Sequence, residues 1–201
     1  MENNIKLLSK QIPIYVSAIF DEHVKPELVY HNLEHTKRVA KRTMEIARHY
    51  RLSETDCFIL LAASCFHDTG QLFSEPQGHE QQSAGIMESF LREHGIEQFI
   101  IEAISGCIMA TKIPHCPETF LQEIICDADT YNLGTEEFLV TDELLKEELR
   151  LRGFPISREW DNITLDFLKG HRFFTSYCNQ KLQKGKQENI DAFTRRIENS
   201  R

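Results

Sequence analysis

Ten residues in a row, Cys57-Phe58-Ile59-Leu60-Leu61-Ala62-Ala63-Ser64-Cys65-Phe66, are apolar almost without interruption, and they run straight into His67-Asp68. A helix that is apolar all round has no face suited to water, so it sits at the centre of a bundle. Such a helix would carry a histidine and an aspartate into the interior. A charged carboxylate there is costly unless something compensates it, and a bound cation is the natural compensator. The chain therefore reads as helices packed around a buried polar centre.

The rest of the sequence agrees, because almost nothing alternates with period two. A first helix is expected from about Ile5 to Phe20, with Pro13 as a kink, and Pro26 marks the turn before the second. That second helix, from about Asn32 to Tyr50, carries His35, Val39, Thr43, Ile46 or Ala47, and Tyr50 in steps of three and four, so His35 faces the core. Ser53-Glu54-Thr55-Asp56 resembles a capping box ahead of the apolar helix, and Gly70 is expected to stop it. Further helices are expected from about Glu80 to His94 and from about Glu97 to Thr111, the second with Ile100, Ile101, Ile104, Cys107 and Ile108 on one face. From about Glu118, Leu121, Ile125, Asp129 and Leu133 share a stripe, whereas Asp127 falls on a flank with Glu123 and Tyr131. Two or three more helices follow Thr135. Trp160, Ile163, Phe167, His171 and Phe174 form one stripe, and Ile190, Phe193 and Ile197 another. The expected fold class is all-α.

The length of 201 residues suits one ordinary domain, read as 1–201 with a metal-binding core at about 28–135 and helices from about 136 packed on it. A net charge of −8 and a pI of 5.6 disfavour coating a nucleic acid, which needs a basic face. The six cysteines form no C-x-x-C pair and read as buried reduced thiols, which suits the cytosol. The Met1-Glu2-Asn3-Asn4 start lacks the pattern of a signal peptide, and no apolar run approaches the roughly 20 residues that span a bilayer. A cytoplasmic location is expected.

The polar residues of interest are spread along the chain as Tyr30-His31-Asn32-Leu33-Glu34-His35, His67-Asp68 and Asp127-Ala128-Asp129. Imidazoles and carboxylates in this number can hold a divalent metal, and their separation means that the fold must assemble the site. His35, His67, Asp68 and Asp129 would leave positions on an octahedral ion for water and a substrate oxygen. Periodicity favours Asp129 over Asp127 as the last ligand. Mixed nitrogen and oxygen donors suit Mn, Fe, Co, Ni or Zn better than Ca.

These motifs, together with Gly78-His79-Glu80-Gln81-Gln82-Ser83-Ala84 and Ala110-Thr111-Lys112, resemble the HD superfamily of metal-dependent phosphohydrolases, and within it a stand-alone branch. His171-Arg172-Phe173-Phe174-Thr175 and Lys186-Gln187-Glu188-Asn189-Ile190 also resemble that branch. The resemblance implies a helical bundle with a central metal held by His35, His67, Asp68 and Asp129. It implies hydrolysis of a phosphomonoester or nucleotide by metal-activated water, with Asp68 and Asp129 in the catalytic set. Tyr30-His31-Asn32 also resembles the opening of cyclic-nucleotide phosphodiesterases, which implies that His31 protonates the leaving group. The sequence leaves that pattern after His67-Asp68, so a phosphodiesterase stands as the alternative, beside a metal-retaining nucleotide sensor with little turnover.

Two-metal branches of the superfamily add two histidines. His79 falls near the first, while the second falls near Thr111, with His115 in reserve. This departure favours one tightly held ion, with a weaker second such as Mg, and counts against the di-iron oxygenases that share the fold. The expected partner is a small phosphorylated, nucleotide-like substrate contacted by His79, Lys112 and Arg172. Neither nucleic acid nor a membrane is expected as a partner, and His171 reads as a core histidine.

Overall fold

The computed structural model describes residues 2–74 and 76–199. These form nine α-helices and two 3₁₀ turns, with no strand among them, so the protein is all-α. Two compact units are present: Met1–Lys25 with His31–Asp129, and Pro26–Tyr30 with Thr130–Arg201. Residues 1 and 201, the limits of the expected single domain, lie outside the described residues.

The first unit is arranged around the apolar segment. Helix α1 (Glu2–Glu22) buries Leu8, Ile12 and Val16, and Pro13 lies inside it without ending it. Helix α2 (Leu33–His49) is capped by Asn32, whose Oδ1 accepts from the backbone N–H groups of Glu34 at 3.0 Å and His35 at 3.1 Å. Its buried face holds His35, Val39, Thr43, Ile46 and Ala47, with Thr36 in addition. Asn32→Ala removes the acceptor for two orphan donors of the first turn, the turn that carries His35. It is expected to cost about 1 kcal/mol in urea denaturation. An unchanged midpoint would show that the cap contributes nothing.

Helix α3 (Glu54–Phe66) starts on Ser53, whose Oγ accepts from the Asp56 N–H at 3.1 Å and donates to Asp56 Oδ2 at 2.7 Å. Phe58, Leu60 and Phe66 are fully buried, and α1, α2, α4 (His79–Glu93), α5 (Gln98–Ala110) and α6 (Phe120–Asp129) all pack against α3. The helix ends on His67. Gly70 does not stop it by a left-handed turn, as expected from sequence, but lies within the 3₁₀ turn Thr69–Leu72. The need for glycine is close approach. A Cβ there would run into the His79 carbonyl and lie 2.9 Å from Ser83 N, while Gly70 N–H donates to Ser83 Oγ at 2.8 Å. This contact sets the start of α4, and so His79, beside His67-Asp68.

Burial pushes the Cys65 and Cys107 thiols up to about 12, so they pack as small apolar groups. None of the six cysteines is in a disulfide.

In the second unit, Tyr30 N–H donates to Glu148 Oε2 of α7 (Phe138–Leu151) at 2.9 Å. Helix α8 (Trp160–Gly170) corrects the expected stripe. Thr164, Leu165 and Leu168 are buried, whereas Ile163 is 52% exposed and Phe167 36%. Asp142 explains the rotation: its carboxylate accepts from Trp160 Nε1 at 3.0 Å and from Thr164 Oγ1 at 2.9 Å. His171 and Phe174 lie beyond the end of α8, where helical phase no longer applies. Helix α9 (Ser176–Asn199) buries Cys178, Leu182, Lys186, Asn189 and Phe193, so of the expected Ile190/Phe193/Ile197 stripe only Phe193 is fully inside. Among the described residues no helix is long and apolar enough to cross a membrane.

Candidate metal centre

Four elements of the first unit bring their ends to one point. His35 comes from the first turn of α2, His67 caps α3, Asp68 precedes the 3₁₀ turn, and Asp129 is the last residue of α6. His67 Nδ1–H donates to the Ser64 carbonyl at 2.9 Å, which leaves Nε2 as the lone-pair nitrogen of the neutral ring. His67 Nε2 lies 3.4 Å from His35 Nε2. Asp129 Oδ1 is 3.1 Å from His35 Nε2 and 3.5 Å from His67 Nε2. Asp68 Oδ2 is 3.3 Å and 3.2 Å from the same two nitrogens, yet it is buried and makes no hydrogen bond.

These distances test whether a cation fits. Bonds of about 2.1 Å place neighbouring ligands about 3.0 Å apart around an octahedral ion and about 3.4 Å apart around a tetrahedral one. The observed separations of 3.1–3.5 Å lie within about 0.1 Å of that interval. One donor atom each from His35, His67 and Asp129 lies within 4.8 Å of the others, and the orphaned Asp68 oxygen adds a fourth. The donor set is two imidazoles and two carboxylates, which fits a divalent transition ion.

The electrostatics agree. Burial works against charge on all four groups, but their mutual attraction outweighs it. His35 is raised above the usual 6.5 by Asp129 and Asp68, and His67 well above it, chiefly by Asp68. Asp68 is held well below the usual carboxylate range by His67 and then His31, and Asp129 is lowered by His35 and His67. The cluster demands positive charge at its centre, supplied by protons or by a cation.

Over this centre lies a cavity of about 310 Å³, lined by His31, Gln77, His79, Lys112 and Ile113, with Asp68 and Asp129 also on its surface. The His31 ring is 5.7 Å from that of His35 and 6.5 Å from that of His79, centroid to centroid. His79 Nδ1–H donates to the Pro76 carbonyl at 2.6 Å, and its Nε2 faces Asp68 Oδ1 at 3.4 Å. Thr111 also lines the cavity, and its hydroxyl donates to the Ile108 carbonyl. His115 turns its Nε2 to the Thr111 carbonyl at 3.1 Å. Arg172 belongs to the second unit, where it is exposed and its guanidinium lies 5.3 Å from the Phe174 ring centroid. Asp127 is completely buried in α6. Pro76, Gln77 and Ile113 were not singled out by sequence; their position next to His79 and Lys112 is the signal that points to them.

An all-helical chain that gathers two histidines and two aspartates in this way defines a class of helical metalloproteins. A family model described as HD domain matches residues 32–133, just over half of the chain, and the protein belongs to that family. HD domains form a superfamily of metal-dependent phosphohydrolases that bind divalent metals. No curated protein and no solved structure matches the chain.

Proposed function

We propose that the protein is a hydrolase of phosphomonoesters or nucleotides, with His35, His67, Asp68 and Asp129 as the ligands of a divalent transition ion. The observation that carries this reading is the unbonded, buried Asp68 oxygen beside two imidazole nitrogens, at the base of a cavity lined by His31, His79 and Lys112. When bound, the ion supplies a lowered pKa for an adjacent water and polarisation of a phosphoryl oxygen.

The side chains account for the remaining chemistry. Lys112 and His79 line the cavity and would offset the negative charge of the phosphoryl oxygens. Asp129 keeps 18% of its side-chain surface exposed against 4% for Asp68, so of the two it offers more surface to water in the cavity, and in this reading it accepts the proton. The water oxygen bonds to phosphorus, the ester P–O bond breaks, and His31 gives its proton to the departing oxygen. A small phosphorylated, nucleotide-like molecule suits a cavity of this size.

The test is phosphate release from a panel of phosphomonoesters and nucleotides, each with Mn²⁺, Co²⁺, Ni²⁺, Zn²⁺ or Mg²⁺. His31→Asn should lower kcat by about 10²–10⁴-fold, the usual contribution of a positioned general acid, with metal affinity unchanged. Tight nucleotide binding with no phosphate release under any ion would overturn hydrolysis in favour of a sensing domain.

A further inference from the structure

Helix α1 carries no charged residue from Gln11 to Phe20, although half of that stretch faces water. Its inner face is filled by Ile5, Leu8, Ile12, Val16 and Ile19. The outer face holds Gln11, Pro13, Ile14, Tyr15 and Ala18, with Leu7 one turn before Gln11. Ile14 is 70% exposed and Leu7 54%. Helix α2 shows the contrast, since Lys37, Lys41 and Arg48 cover its outer side. A single exposed leucine needs no account, but a contiguous uncharged face on a surface helix marks an interaction site. The whole of α1 belongs to the first unit, so one body carries this surface.

The charges of α1 are gathered at its two ends. Lys6 and Lys10 lie in the N-terminal half, whereas Asp21 and Glu22 occupy the last turn, which holds no basic residue. The C-terminal end of a helix is the negative pole of its dipole, so its own backbone disfavours acids there. Lys10, Asp21 and Glu22 make no ion pair among the described residues. Lys6 meets Glu54 at 3.3 Å on the open surface, where such a pair contributes little. A second helix of the same sequence, running antiparallel, brings its positive pole and its lysines beside those acids. With Ile14 on the twofold axis, Lys6 stands level with Glu22 of the second copy. Lys10 then comes within about 4.5 Å, along the axis, of Asp21 in that copy, and Leu7 within the same distance of its Ala18.

We infer that the α1 face around Ile14 is an interaction surface for a second copy of this chain, paired antiparallel about a twofold axis. Such a contact is self-complementary, so each lysine–acid pairing occurs twice. One helix about 30 Å long buries less than the roughly 1,600 Å² of a standard interface, so the association is weak and reversible. Sedimentation equilibrium of the full chain, from about 1 µM to 1 mM, should show monomer and dimer in exchange. The expected Kd is on the order of 10⁻⁵–10⁻⁴ M, weaker than the micromolar limit of standard interfaces.

Ile14→Lys should raise Kd about 10-fold or more and leave the melting temperature of the dilute protein unchanged, because the side chain is exposed in the monomer. Glu22→Lys should raise Kd about 5-fold. Adding Lys6→Glu should restore it to within about 2-fold of wild type, since the exchanged charges face one another again. Oxidative cross-linking fixes the direction of the pair, in a Cys116→Ser background because Cys116 is exposed. Ile14→Cys chains should join by a disulfide. Leu7→Cys chains should not, because antiparallel pairing holds the two positions about 20 Å apart. Monomeric wild type at every concentration would leave the face to a different partner and overturn the inference, as would a dimer that Ile14→Lys leaves intact. Leu7→Cys chains that link as readily as Ile14→Cys chains would overturn it too.

Discussion

His67→Ala is expected to weaken divalent-metal binding more than about 10²-fold, beyond the range typical of losing an outer partner, and to cut phosphoester hydrolysis roughly 10³-fold or more. The size of the effect follows from where the ring sits. His67 Nε2 lies within 3.5 Å of His35 Nε2, Asp68 Oδ2 and Asp129 Oδ1, and Nδ1–H fixes its direction through the Ser64 carbonyl. Deletion also leaves two buried carboxylates with less positive charge near them. Breaking a buried charge pair costs about 3–5 kcal/mol, so the metal-free variant should unfold at lower temperature as well. His115→Ala is the control, because its Nε2 turns to the Thr111 backbone carbonyl, and metal affinity should not change. Co²⁺ titration monitored by absorbance separates the two variants. Wild-type affinity in His67→Ala would remove the centre proposed here.

The elements that carry these ligands are legible in the sequence for a physical reason. Helices α2 and α3 follow from apolar spacing, and Asn32 and Ser53 mark their starts because a short polar side chain can satisfy orphan N–H groups there. Where polar residues are buried by hydrogen bonding, apolar spacing misleads. It placed Ile163 and Phe167 inward, whereas Asp142 rotates α8 to bury Thr164. It passed over Lys186 and Asn189, which occupy core positions of α9 through bonds to backbone carbonyls. Asp127 is fully buried as well, although periodicity sets it on a flank. Burial alone would favour Asp127, since Asp129 keeps 18% of its side-chain surface exposed; direction decides, because Asp129 Oδ1 reaches both imidazoles. Pro76, Gln77 and Ile113 carry no distinctive chemistry, so in the sequence only their nearness to His79 and Lys112 points to them as part of the cavity wall.

Metal uptake near pH 6 is expected to release close to two protons, and apparent affinity should rise by up to about 100-fold per pH unit until the imidazoles are neutral, then level off. The sign follows from the shifts. His35 and His67 are raised above 6.5, so in the metal-free protein both are protonated at pH 6, while Asp68 and Asp129 are lowered and remain ionised. Two imidazoliums and two carboxylates sum to zero charge. A dication with two neutral imidazoles and the same carboxylates also sums to zero, so the cluster exchanges two protons for one ion at constant charge. Stability of the metal-free protein must then run the other way. The raised histidines stabilise it below their unfolded value of 6.5, and that contribution is lost as pH rises through their folded values. The lowered aspartates stabilise it above 3.8, and that contribution is lost as pH falls. Metal-free protein should therefore lose melting temperature as pH rises above neutrality, while metal-loaded protein gains over the same interval. Calorimetric titration in two buffers of different ionisation enthalpy counts the protons. A count near zero at pH 6 would mean that the imidazoles are already neutral, and the charge exchange at this centre would be wrong.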